Sequence, residues 1–233
     1  MRVFVSSTAY DLAAHRQVAE RVILQMGWQP EMPIEHQSIL GGPIVEQCCR
    51  RVAECDAFVL ILGYRCGWIP AKEQGGSGFD SITAFELGTW IQKVRRVGGI
   101  QPLIMFAESE KMKPGDGEGD VAGAFQTMLR ARVKGLEIVH PFPMVAPTDP
   151  AHALHLDSFA SQLRTQLANL KALLAEHARL QEASARMVAE VQARRAQAAL
   201  EAEKNAAWVT AAVAFGLGAF TVAALSGEGT RRR

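Results

Sequence analysis

Five short apolar segments alternate with helical patterns along residues 1–145 of the 233-residue chain. The segments lack the regular polar alternation of a strand with one solvent-facing side, which is typical of strands buried on both faces. They read "RVFVSS", "WQPEMPI", "AFVLILG", "IQPLIMFAE" and "LEIVHPF". Between them, apolar residues recur at helical spacing, as in "DLAAHRQVAERVILQM". The pattern predicts an α/β domain over residues 1–145, with a five-stranded parallel sheet and flanking helices in a doubly wound arrangement.

A proline-rich segment, "PFPMVAPTDP", ends this domain, because four prolines in ten residues cannot continue a helix or a central strand. Residues 151–205 then contain no proline or glycine, and their apolar residues recur in a seven-residue frame. One row of that frame holds Leu156, Leu163, Leu170 and Val191, and the other holds Phe159, Leu173, Leu180 and Met187. The rows predict a long helical coiled-coil stalk that joins copies of the chain into a homo-oligomer. The alternative is one long amphipathic helix that folds back on the domain.

The segment "AAWVTAAVAFGLGAFTVAAL", residues 206–225, contains no charged residue. As a helix it would extend roughly 30 Å, which is the thickness of the hydrocarbon layer of a membrane. Trp208 lies near one end, and a basic tail over residues 226–233 follows. The segment predicts a transmembrane helix and a membrane-anchored protein. The alternative is a buried hairpin helix in an oligomer.

Charge and cysteine content narrow the function classes. The net charge is +1 with mixed local charge, so we expect no nucleic-acid partner. The four cysteines fit neither a zinc motif nor a disulfide framework, and the first residues do not form a secretory signal. We therefore expect the main domain to be cytoplasmic, with no metal site.

Three loops are expected to converge at the carboxyl ends of the strands, where ligands of doubly wound sheets bind. The first strand ends in "SSTAYD", so Ser6, Ser7 and Thr8 offer hydroxyl and N–H groups for a phosphate at a helix N-terminus. Asp11 follows in the first turn of the helix, where it either contributes to the site or only caps the helix.

The third strand ends in "GYRCGW", which brings Gly63, Tyr64 and Arg65 to the same edge of the sheet. Arg65 either clamps a phosphate or carboxylate or is an ordinary surface arginine. Glu86 lies in the next helix, in "GFDSITAFELGTW". It is either a solvated residue of the first turns or a carboxylate facing the crevice. Thr83, three residues earlier, would orient that carboxylate or a ribose hydroxyl.

Three stretches, "VFVSSTAYDLAAHR", "CDAFVLILGYRCGW" and "SITAFELG", resemble a TIR-like domain-of-unknown-function family found at the N-terminus of signalling NTPases. The resemblance covers roughly residues 2–108. The family is similar to TIR domains and nucleoside deoxyribosyltransferases, which implies a flavodoxin-like fold and makes Glu86 the catalytic candidate for cleaving an N-glycosidic bond. Two departures are Cys66, where the family usually has tyrosine, and a longer connection in "VRRVGGIQPLIMF".

Together with the predicted transmembrane helix, the resemblance implies a membrane-anchored TIR-like effector that cleaves the N-glycosidic bond of NAD or a related nucleotide. No separate cofactor is expected. Ser6, Ser7 and Arg65 would hold the phosphate or ribose, and Glu86 would stabilise the ribosyl cation. Oligomerisation would activate it, in bacterial defence signalling. The alternative is a non-enzymatic sensing and self-association module, whose clustering through stalk and transmembrane helix perturbs the membrane.

Overall fold

The five predicted strands form one parallel sheet in the order β2-β1-β3-β4-β5. The computed structural model describes residues 1–32, 44–115, 118–136 and 138–225, excepting the side chains of residues 212 and 214–225. The strands are β1 (Arg2–Ser7), β2 (Gln29–Glu31), β3 (Ala57–Leu62), β4 (Leu103–Glu108) and β5 (Val139–Pro143). This strand order is the flavodoxin-like one, with its switch point between β1 and β3. The predicted α/β sheet is confirmed.

Helices α1 to α4 alternate with the strands. They are α1 (Ala13–Gln25), α2 (Ile44–Glu54), α3 (Ile82–Val97) and α4 (Asp120–Lys134), and a short 3-10 helix (Lys72–Gln74) precedes α3. A final helix, α5, runs from His152 to Leu225. The weak strand predicted in "WQPEMPI" is reduced to the three residues of β2, an edge strand that tolerates Pro30 because a proline there need not donate to a second neighbour.

Both faces of the sheet are covered, which explains why its strands lack polar alternation. All six residues of β3 are buried. On one face, Phe4 stacks on Phe58, which in turn stacks on Trp90 of α3. On the other face, Val5 and Val59 belong to a second core cluster with residues of α1 and α5. Neighbouring residues of β1 therefore point to opposite layers of helices, a property that decides where Ser6 and Ser7 point.

The first turns of α5 pack on the domain. Phe159, Leu163 and Leu167 have no exposed surface, and Phe159 contacts Phe142 of β5 with ring centroids 4.9 Å apart. Residues Met1–Ala175 accordingly form one compact unit, and a second unit begins at Glu176. The predicted heptad rows are divided between two environments. Phe159, Leu163 and Leu170 lie in the core of the domain, whereas Leu180 and Met187 are each 63% exposed.

The predicted transmembrane helix over residues 206–225 is contradicted. α5 continues to Leu225, but among the residues that the structure describes no helix is long and apolar enough to cross a membrane. The expectations of a membrane partner and a membrane-anchored location are corrected with it. The basic tail, residues 226–233, lies outside the described residues.

Candidate functional site

Glu86 lies against the carboxyl end of β1 and is fully buried. Ser81 precedes α3, so Glu86 falls in the second turn of that helix, on the side that faces the sheet. Ser6 points to the same face of β1 as Phe4, and its Oγ donates a hydrogen bond to Oε2 of Glu86 at 2.5 Å. Thr83, one turn earlier in α3, is buried as well. Of the two positions considered for Glu86, the solvated one is excluded.

Burial makes this carboxyl group a weak acid. Loss of hydration raises the pKa of Glu86 from 4.5 to about 7, while the Ser6 hydroxyl and the charges of Arg16 and Arg51 oppose the rise. Oε1 of Glu86 has no hydrogen-bond partner among the described residues. A carboxyl group with this pKa can exchange a proton near neutral pH, and once ionised it can face a developing positive charge. Catalytic acids and bases make use of both properties.

Arg16 and Arg51 were not predicted as site residues. Arg16 lies on α1 and Arg51 on α2, where Arg51 also forms an ion pair with Glu31 of β2. Arg65 is not among the groups that shift the Glu86 carboxyl. The positive charges around Glu86 therefore come from helices on either side of β1. Arg16 ends the stretch "VFVSSTAYDLAAHR", which did not identify it as a partner of this carboxyl, and Arg51 lies outside the three stretches that carry the resemblance.

A second cluster joins the loops that follow β1 and β3. Oδ2 of Asp11 accepts hydrogen bonds from the backbone N–H groups of Tyr64 at 3.0 Å and Arg65 at 3.1 Å. Thr8 Oγ1 donates to Oδ1 of the same carboxylate. Gly63 faces Asp11 so closely that a Cβ at this position would overlap the carboxylate. The structure thus brings together five of the predicted site residues, and Asp11 connects the two loops.

Glu118 binds the next two residues of the loop that follows β3, Cys66 and Gly67. Its carboxylate accepts hydrogen bonds from the N–H groups of Cys66 at 2.5 Å and Gly67 at 3.0 Å. It also forms an ion pair with Arg65 Nε at 3.4 Å. The four consecutive N–H groups of residues 64–67 therefore all donate to carboxylate oxygens. Glu118 lies in "KMKPGDGEGD", a segment whose composition predicts only a solvated loop, so the sequence contained no signal for this contact.

Arg130 of α4 fixes the carboxyl ends of β3 and β4. Its guanidinium donates to the carbonyl oxygens of Gly63 and Ala107, both at 2.7 Å. The same group lies between the rings of Tyr64 and Phe106, 4.2 Å and 4.0 Å from their centroids. Burial lowers the pKa of Arg130, and these contacts replace the water that the guanidinium has lost. We assign Arg130 to supporting the loop.

Ser7 points away from Glu86, into the layer between the sheet and α1. It is buried, and its Oγ has no partner among the described residues. The predicted hydroxyl cluster is therefore divided, since Ser6 contacts Glu86, Thr8 contacts Asp11, and Ser7 contacts neither. A cavity of about 720 Å³ lies beside Arg130 and the ends of β4 and β5, and Tyr64 of the predicted site lines it. Within the described ranges, no group of three or more His, Cys, Asp or Glu side chains is placed to hold a metal ion.

Residues 2–112 match the family model described as Domain of unknown function (DUF4062). This match confirms the resemblance to a domain-of-unknown-function family. It covers β1 to β4, so it includes Ser6, Arg65 and Glu86 but ends before Glu118. No curated protein matches the chain.

Among solved structures, the chain is similar to the flavodoxin-like domain of a Synechococcus sp. protein, with 13% identity, a TM-score of 0.40, and coverage of 72% of this chain and 98% of that one. It is also similar to the TIR domains of the activated Roq1 resistosome that recognises the pathogen effector XopQ, with 11% identity, a TM-score of 0.36 and coverage of 70% and 83%. The third is the RPS4 and RRS1 TIR domain heterodimer, with 10% identity, a TM-score of 0.35 and coverage of 70% and 96%.

Proposed function

We propose that the α/β domain is a TIR-like signalling domain that cleaves the N-glycosidic bond of NAD or a related nucleotide, with Glu86 as the catalytic residue. The observation that supports this most directly is the state of Glu86. It is a fully buried carboxyl at the carboxyl end of β1, its pKa is raised to about 7, and one of its oxygens has no described partner. Buried acids in this condition are costly, and they concentrate at functional sites.

The reaction follows from the charge of Glu86. The bond between C1′ and the nicotinamide nitrogen breaks, and its electron pair leaves with the nicotinamide as a neutral molecule. The ionised carboxylate stabilises the ribosyl cation that remains, or attacks it to form a covalent intermediate. Water then adds to C1′, and in the covalent case the bond between C1′ and the Glu86 oxygen breaks and frees the carboxylate. The water gives up a proton, which Glu86 can accept because of its raised pKa. Ser6 holds the carboxylate in place through its hydroxyl.

Activation is part of this proposal, because a substrate cannot reach a carboxylate without exposed surface unless neighbouring elements move. Self-association through α5 would supply that rearrangement. Leu180, Met187 and Val191 form an exposed apolar row on the second unit, at spacings of seven and four residues. The predicted homo-oligomer would bury this row. The defence role that the family resemblance implies stays a prediction.

The test is the release of nicotinamide from NAD, which chromatography measures. The protein is assayed at concentrations at which light scattering shows that it assembles. Glu86→Gln keeps the size of the side chain and removes its charge, so release should fall by about 10²-fold or more. Glu73→Gln is the matched control, because Glu73 is an exposed carboxylate of the 3-10 helix before α3. Equal release by wild-type protein and Glu86→Gln would refute the assigned role of Glu86.

The exposed row of α5 also supports a second candidate, a self-association module without catalysis. Met187→Glu places a charge in the row, and Ala189→Glu places the same charge roughly 200° around the helix. We expect only Met187→Glu to prevent assembly in light scattering. Assembled wild-type protein that releases no nicotinamide would favour this second function over the first.

A further inference from the structure

The loop of residues 64–67 has the geometry of an anion-binding site. Its four N–H groups point toward two carboxylates, those of Asp11 and Glu118. Gly67 has a φ of +75°, and successive N–H groups that converge in this way form a concave site for anions. Arg65 adds a guanidinium at the same place. Such a loop can bind the anion of a ligand as well as a carboxylate of the protein. Here both bound anions are carboxylates of the chain itself, those of Asp11 and Glu118.

The two carboxylates are held in different ways. Asp11 accepts a third hydrogen bond, from Thr8, and lies in the turn directly before α1, so it connects two strand ends of the sheet. Glu118 lies in the long connection between β4 and α4, and it reaches the loop through its side chain. Its side chain keeps 12% of its surface exposed, and that of Arg65 keeps 31%. The Glu118 half therefore keeps part of its surface open to solvent and ligands.

We propose that Arg65 and the N–H groups of Cys66 and Gly67 form a phosphate-binding site, which the carboxylate of Glu118 occupies in the ligand-free state. Glu118 is then an internal competitor that a phosphate group must displace. Phosphate suits the site because it accepts from a guanidinium and from several N–H groups at once. The assignment of this phosphate to a nucleotide rests on the proposed function, whereas the anion site itself does not.

Displacement has a predictable consequence for affinity. A phosphate that binds must first break three charge-assisted contacts of Glu118, two with N–H groups and one with Arg65. Glu118→Gln removes the negative charge and weakens these contacts, so an added anion should bind more tightly. One charge-assisted contact corresponds to a gain of roughly 10- to 100-fold in affinity.

The probe is inorganic pyrophosphate, titrated into the full chain at constant ionic strength and measured by calorimetry. We expect Glu118→Gln to bind it at least about tenfold more tightly than wild-type protein. Glu110→Gln is the matched control, because Glu110 is exposed in the same connection. The double variant Glu118→Gln with Arg65→Gln should lose the gain. Equal affinity of Glu118→Gln and Glu110→Gln, or a gain that persists without Arg65, would overturn the proposal.

A second measurement covers the case in which Glu118→Gln does not fold. In wild-type protein, high concentrations of pyrophosphate should shift the amide resonances of Cys66 and Gly67, and no such shift would count against the site. Pyrophosphate contains no N-glycosidic bond, so its failure to bind leaves the proposed catalysis of Glu86 untouched. Conversely, absence of nicotinamide release says nothing against an anion site that binds pyrophosphate.

Discussion

Glu86→Gln should make the domain more stable, and the gain should depend on pH. The pKa of Glu86 is about 7 in the folded chain and 4.5 as its ordinary value. Below pH 4.5 the group is protonated in both states and resembles glutamine. Between pH 4.5 and 7 the unfolded chain loses its proton first, so stability falls as pH rises. One pKa unit corresponds to about 1.4 kcal/mol, which gives a full penalty of roughly 3 kcal/mol above pH 7.

Thermal unfolding at a series of pH values measures this penalty. For a unit of the size of Met1–Ala175, each kcal/mol shifts the midpoint by about 2–4 °C. Glu86→Gln should therefore unfold roughly 6–12 °C higher than wild-type protein at pH 8, with little difference at pH 4.5. Glu73→Gln, at an exposed carboxylate, should show no such difference. A gain of equal size at both pH values, or no gain at pH 8, would show that burial does not control the ionisation of Glu86.

Three further predictions concern packing and titration. Phe159→Ala should lower the free energy of unfolding by about 3–5 kcal/mol in a denaturant titration. Leu154→Ala, at an exposed position of the same helix, should change it by less than about 0.5 kcal/mol. Burial and the neighbouring His152 lower the pKa of His15 to about 4, with Asp11 opposing. The unfolded chain therefore binds this proton first as the pH falls, so the thermal midpoint of His15→Leu relative to that of wild-type protein should rise as the pH is lowered from 6.5 to 4. Gly63→Ala should destabilise the domain by about 1–3 kcal/mol in the same titration, because the added Cβ overlaps Asp11. Gly88→Ala should instead stabilise α3 by up to about 1 kcal/mol, because a Cβ at Gly88 meets nothing within 4 Å.

The sheet could be predicted from the sequence because its signal is local. The run "AFVLIL" is apolar at every position, and only a strand covered on both faces buries all six residues. The division of α5 could not be predicted in the same way. Leu163 and Leu180 occupy the two rows of one heptad pattern, yet the first is buried in the domain and the second is exposed. A heptad specifies an apolar helix face, and whether that face meets its own domain or another copy depends on contacts distant in sequence.

The candidate site shows the same limit. The position of Glu86 near β1 was predictable, because the helix after the third strand must pass the carboxyl edge of a doubly wound sheet. The partners of the loop were not. Glu118 contacts Cys66 across 52 positions of sequence, from a segment rich in glycine and charge. The composition of such a loop does not show whether one of its carboxylates accepts hydrogen bonds from backbone N–H groups or faces water. That Glu86 is catalytic stays a prediction, which the nicotinamide assay will decide.

The carboxylates of Asp11, Glu118 and Glu86 differ in how many donor groups contact them. This difference favours Glu86 as the reactive group. Asp11 accepts three hydrogen bonds, and Glu118 has two N–H donors and a guanidinium. Both are neutralised by fixed donors, as expected of carboxylates that hold loops in place. Glu86 has a single described donor, Ser6, although it is the most deeply buried of the three. The fold therefore retains one buried carboxylate, Glu86, that has fewer described donors and destabilises the domain. Such groups persist at functional sites, where a ligand or a transition state provides the missing contact.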